Sequence, residues 1–129
     1  MEPEAIVPGW LGSRAYDRDG ARLGHVADVL FDDLTGAPAW LVLVLLRTDD
    51  RFVLAPAPGV RHHPAGVGLT VSRSLVRTAP TSSSPPGELG REHAAALCAH
   101  YGVRVGRGPW SGIVEPHLAY AEDRVRMAG

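Results

Sequence analysis

The stretch D-R-D-G-A-R-L-G-H-V-A-D-V-L-F-D-D-L-T-G-A-P-A-W-L-V-L-V-L-L, Asp17 to Leu46, holds two turn signals, each leading into an apolar run. Its first four residues could turn the chain or hold a metal ion. A calcium loop of the EF-hand kind sets acidic or amide side chains at its first, third and fifth positions, glycine at the sixth and a bidentate glutamate at the twelfth. Here glycine directly follows the second aspartate, and the twelfth position counted from Asp17 is Asp28, inside an apolar run. D-R-D-G therefore reads as a hairpin turn centred on Asp19-Gly20, because Asp-Gly suits the left-handed backbone of a type I′ turn.

After that turn, Leu23, Val29 and Phe31 alternate as a strand requires, whereas Val26 and Leu30 break the period. A bulge or bend at Gly24 reconciles the two registers. D-D-L-T-G, residues 32–36, is the second turn: Asp and Thr side chains can satisfy backbone donors, and Gly36 is free to take positive φ. The following run has Trp40, Val42, Val44 and Leu46 on one face and Leu41, Leu43 and Leu45 on the other. A strand apolar on both faces needs two covers, so Trp40, Val42 and Val44 are candidates for contact with a C-terminal helix or with another subunit.

Outward from this centre, Ser13 to Asp17 forms a short first strand, and F-V-L-A-P, residues 52–56, a fourth that Pro56 ends. Prolines and glycines make A-P-G-V-R-H-H-P-A-G-V, residues 57–67, a loop. G-L-T-V-S, residues 68–72, is a fifth short strand, and S-L-V, residues 74–76, a helical turn or an edge strand. P-T-S-S-S-P-P-G is a flexible break by composition. A helix follows from about residue 88 to Tyr101 and stops at Gly102, with Leu89, His93, Ala96, Leu97 and Tyr101 on one broad face. Residues 103–117 read as irregular and residues 118–127 as a weak terminal helix. The expected organisation is a small β domain over 10–80, a linker over 81–87, and a helical extension with an irregular tail over 88–129. Four or five short antiparallel strands with an apolar run on both faces point to a mainly β fold, a small antiparallel barrel or a highly twisted sheet.

Composition narrows the function. The 129 residues carry 13 basic and 14 acidic side chains for a formal charge of -1, and every basic residue is arginine. That balance supplies no global attraction to nucleic acid or an anionic membrane. Cys98 is the single cysteine, so neither an intrachain disulfide nor a thiolate cluster can form, and a cytoplasmic setting is expected. The first residues lack a signal-peptide pattern, and the longest apolar run, Ala39 to Leu46, is under half a membrane-spanning helix.

No catalytic group, cofactor or metal is expected. Asp32 and Asp33 fit turn capping better than an acid pair. His93 and His100 lie about 10 Å apart along a helix axis, too far to share one ion without distortion. Cys98 on an alanine-rich helix reads as a small buried hydrophobe. Arg104 and Arg107 are the residues to test for contact with nucleic acid.

The order D-x-D-G-x-x-L-G-x-V-x-D-V-L-F-D-x-x-T-G-x-x-x-W-L-V, followed by F-V-L-A-P and V-R-T-A-P, resembles the PRC-barrel family, to which parts of the photosynthetic reaction-centre H subunit and the ribosome maturation factor RimM belong. The likeness spans roughly residues 10–80, and the E-L-G-R-E-H-A-A-A-L-C-A-H-Y-G helix resembles an extension of some stand-alone members. It implies a compact β-barrel serving as a noncatalytic interaction or assembly adaptor. Asp19-Gly20, Leu23-Gly24, Val26, Asp28-Val29, Asp32, Gly36 and Pro56 match family positions that look structural. The expected partner is a second copy or another protein, with Leu89, Leu97 and Tyr101 joining Trp40, Val42 and Val44 at the interface. An RNA- or ribosome-associated accessory factor is the alternative, and a small metal-binding enzyme a third reading.

Overall fold

A computed structural model describes residues 9–46, 51–82, 86–105 and 108–112. Among these residues the elements run β1 (Arg14–Tyr16), β2 (Arg22–Asp32), β3 (Pro38–Leu45), β4 (Phe52–Pro56), β5 (Arg61–His63), β6 (Gly66–Gly68), α1 (Arg73–Thr78), β7 (Thr81–Ser82), β8 (Glu88–Leu89), α2 (Arg91–Tyr101) and β9 (Trp110–Gly112). The fold is mainly β, as the residue pattern implies. The strand order is β5-β6-β1-β2-β3-β4-β7, with β9 pairing both β2 and β8.

Two expectations about the sheet change. It is mixed, because β1 and β6 run parallel. It is also open: among the described residues the end strands β5 and β7 do not meet. Curvature comes instead from register shifts. Gly24 pairs with Ala15 but Arg22 with Tyr16, which leaves Leu23 as the extra residue against β1. Val26 pairs with Leu43 and Asp28 with Val42, so Ala27 is the extra residue against β3. Each extra residue adds local twist and resets which side chains face inward. The broken period of β2 is thus resolved beside Gly24 and again at Ala27. Gly24 has its own reason: an added Cβ would lie 2.9 Å from Leu45 Cα, and closer still to the Val44 carbonyl oxygen.

The curl buries β3 on both sides, with Trp40, Leu41, Val42 and Leu43 inaccessible to solvent. One cover comes from the C-terminal part of the same chain. Leu89, Ala94, Leu97, Tyr101, Val105 and Trp110 belong to the same hydrophobic cluster as β2, β3 and β4. The buried face of α2 is Ala94, Leu97 and Tyr101, whereas the expected His93 and Ala96 are exposed. Leu89 and Tyr101 keep their expected burial, but Leu89 belongs to β8, so α2 begins three residues later than the apolar spacing suggests. Gly102 ends the helix in the left-handed region, φ 69°.

Elsewhere local patterning gives way to pairing. Residues 61–63 and 66–67, expected as loop, join Gly68 in the β5–β6 hairpin, held to β1 by the parallel ladder and by Leu69 N–H donating to Tyr16 O (2.8 Å). The expected strand over 68–72 is a bend that buries Leu69 and Val71. Residues 74–76 lie in α1, the helical one of the two alternatives. Thr81 and Ser82, from the expected linker, pair with Val53 and Phe52. Within the expected irregular segment, β9 pairs along Leu30–Asp32 of β2. The expected terminal helix over 118–127 lies outside the described residues. No helix among the described residues is long and apolar enough to cross a membrane.

Candidate interaction surface

The D-R-D-G turn is built around Asp17. Gly20 N–H donates to Asp17 O (3.0 Å), and Asp17 N–H donates to Ala21 O (2.8 Å). This is a three-residue loop with Arg18 and Asp19 at the centre and Gly20 in the left-handed position, φ 87°. It is the type I turn with a following glycine bulge rather than the expected two-residue type I′ turn. Asp19 sits exposed at the tip, 3.8 Å from Arg18 Nε.

The Asp17 carboxylate is buried and fully occupied. Its Oδ1 accepts from Asp19 N–H (2.9 Å) and Ala21 N–H (2.8 Å), and its Oδ2 from Arg73 N–H (2.9 Å), where α1 starts. Burial by itself would raise its pKa. The bonds from Ala21, Arg73 and Asp19, with the Arg73 guanidinium adding attraction, outweigh burial and hold it below the ordinary carboxylate value. Asp17 therefore ties the β1–β2 turn to α1.

The other buried carboxylates do similar work. Asp32 Oδ1 accepts from Leu34 N–H (2.8 Å) and Thr35 N–H (3.3 Å), closing the second turn, in which Gly36 takes φ 73°. Asp33 N–H donates to Pro109 O (2.8 Å), and Asp33 Oδ2 accepts from Ser111 Oγ (3.0 Å), so this turn also anchors β9. Asp28 Oδ1 accepts from Val29 N–H (2.7 Å), and its carboxylate stands against Gly112 of β9. Turn capping at Asp32 was legible in D-D-L-T-G. The joints made by Asp17 and Asp28 link segments far apart in the chain, which local spacing does not reveal.

The candidate interface residues lie inside one chain. Trp40 and Val42 are inaccessible, Val44 is 9% exposed, and Leu89, Leu97 and Tyr101 are buried. Tyr101 Oη donates to Leu54 O of β4 (2.7 Å), and burial raises its pKa well above the ordinary phenol value. His100 Nε2 lies 2.6 Å from Leu75 O, joining α2 to α1. Cys98 is half-buried on the core side of α2. Arg104 is exposed, and Arg107 lies outside the described residues. Among the described residues, no group of three or more His, Cys, Asp and Glu side chains converges as metal ligands would. The indole N–H groups of Trp40 and Trp110 are buried without a partner among the described residues.

One exposed face of the sheet is the outer face of β5-β6-β1-β2. Cross-strand pairs set its side chains in two rows: Arg61, Gly68, Tyr16 and Arg22, then His63, Gly66, Arg14 and His25. Ala15 and Val67, on the opposite face, are buried, while Arg14, Arg22, His25 and Arg61 are exposed. Because β6 contributes glycine to both rows, Tyr16 and His63 reach across it and stack with ring centroids 3.9 Å apart. The residues of this face were visible in the sequence. Their grouping was not, because it depends on the parallel β1–β6 pairing.

Residues 10–65 match the family model of the PRC-barrel domain, a span that covers β1 to β5 and stops before β6. No curated protein matches the chain.

Proposed function

We propose, for a chain that contains a PRC-barrel domain over residues 10–65, a noncatalytic role as a protein-interaction or assembly module in the cytoplasm, bound to a second copy or to another protein. The supporting observation is how the chain distributes its polar side chains. The buried Asp17 and Asp32 are engaged by backbone N–H groups at turns, while the β5-β6-β1-β2 face presents its polar groups outward. The backbone donors on Asp17 hold its pKa below the ordinary carboxylate value and fix it in place, which suits a structural joint better than proton transfer.

Because Trp40, Val42 and Val44 are buried, the contact proposed is with the exposed face rather than with the two-sided apolar strand. The test is photo-crosslinking of the full chain in cells, with the reactive side chain at His25 on that face or at Glu92 on the exposed side of α2. Discrete adducts from position 25 and none from position 92 are expected. Light scattering after gel filtration separates a second copy from a different protein. No adduct from either position, together with a monomer at every concentration, would overturn the proposal.

A further inference from the structure

The outer face of β5-β6-β1-β2 carries more information than its exposure. Arg14, Arg22 and Arg61 stand on it with no ion pair among the described residues, and no acidic side chain occupies either row. In a chain of formal charge -1, this is a concentrated exception. Four adjacent strands set the span from Arg61 to Arg22 at about 14 Å. From these observations we infer that this face docks a short, extended, acidic segment of a partner protein, whose carboxylates pair with Arg14, Arg22 and Arg61. This rests on the interaction-module reading above and names the chemistry of its partner.

The occupant follows from charge and from scale. Guanidinium groups offer planar, two-pronged donors to carboxylates. A span of about 14 Å matches four or five residues of extended chain, at about 3.3 Å per residue. A nucleic acid fits less well. It gains affinity by neutralising many phosphates, and the near-neutral chain provides that charge only over a small area. Sequence-tolerant binding to single strands also needs free aromatic faces for bases, whereas Tyr16 and His63 each use one ring face on the other. Gly68 keeps the centre of the face low. A Cβ added there meets nothing closer than Arg61 O at 3.8 Å, an ordinary van der Waals contact.

The test uses the full chain and a short fluorescein-labelled peptide of alternating glutamate and serine, with a lysine–serine peptide and an oligouridylate of matched length as comparisons. Anisotropy at about 20 mM salt should show saturable binding of the acidic peptide that weakens steeply at about 200 mM, where exposed charges are screened within several ångströms. Changing Arg14, Arg22 and Arg61 together to glutamine should weaken binding about tenfold, in keeping with three exposed ion pairs of modest strength. Changing the exposed Arg77 and Arg91 to glutamine should not. Gly68→Glu supplies a second variant that leaves the arginines in place: its own carboxylate should compete for them and lower affinity while the melting temperature is kept. No binding of the acidic peptide at low salt, equal binding by the triple variant, or tighter binding of the oligouridylate would overturn the inference. Cross-links from position 25 that persist in the triple variant would overturn it too, while leaving the interaction-module reading in place.

Discussion

At the scale of single residues, Asp17 and Gly24 show how side chains specify the backbone here. Asp17 holds three backbone N–H groups on one buried carboxylate. Asp17→Asn keeps the shape but turns one acceptor into a donor, which should cost about 1–3 kcal/mol, read from the denaturant midpoint. Because its folded pKa lies below its unfolded value of about 3.8, the stability from its ionised form is present above that pH. It is lost as pH falls through the folded value, so acid unfolding of Asp17→Asn should lack this component in the range below 3.8. Gly24 and Gly68 form a matched pair. Gly24→Ala drives a methyl group into β3 and should cost at least about 2 kcal/mol. Gly68→Ala enters open space on a strand and should stabilise by about 0.5 kcal/mol. Equal melting temperatures for the two variants would refute the close approach of β2 and β3 at Gly24.

At the scale of elements, the important contact is α2 against the β2–β3–β4 core. The helix has a weak sequence signature, since four of its eleven residues are alanine, and its apolar face is set by the contact itself. Leu97 is inaccessible and Tyr101 bonds to β4. Leu97→Ala should destabilise by about 2–5 kcal/mol through cavity formation. Tyr101→Phe should cost about 1–3 kcal/mol by leaving the Leu54 carbonyl without its donor. If both variants unfolded at the wild-type denaturant concentration, α2 would not be part of the cooperative unit. The same elements explain which expectations hold. The β2 and β3 strands, the turns at 17–20 and 32–36 and the stop at Gly102 all use short-range cues. By contrast, β5, β6, β7 and β9 contain only two or three residues each, and β6, β7 and β9 draw hydrogen bonds from partners distant in the chain. Such strands carry too few side chains to establish a period of two.

At the scale of the whole molecule, one hydrophobic cluster runs from Ala15 to Trp110, beyond the family match at residues 10–65. Removing everything after residue 80 would strip Leu89, Leu97, Tyr101 and Trp110 from it and uncover apolar β3. That fragment should lose cooperative unfolding and aggregate, as an exposed apolar sheet face does. A soluble fragment melting like the full chain would show that the barrel-like part folds by itself. By itself, the sequence determined the β-rich class, the central two-faced strand and both aspartate-glycine turns, because alternation, turn chemistry and apolar content act over a few residues. Tertiary structure decided what covers that strand, where Asp17 sends its second oxygen, and that Arg14, Arg22 and Arg61 share one face. Those outcomes depend on pairings between distant segments, above all the parallel contact of β1 with β6, whose energy is realised only after the chain has closed on itself.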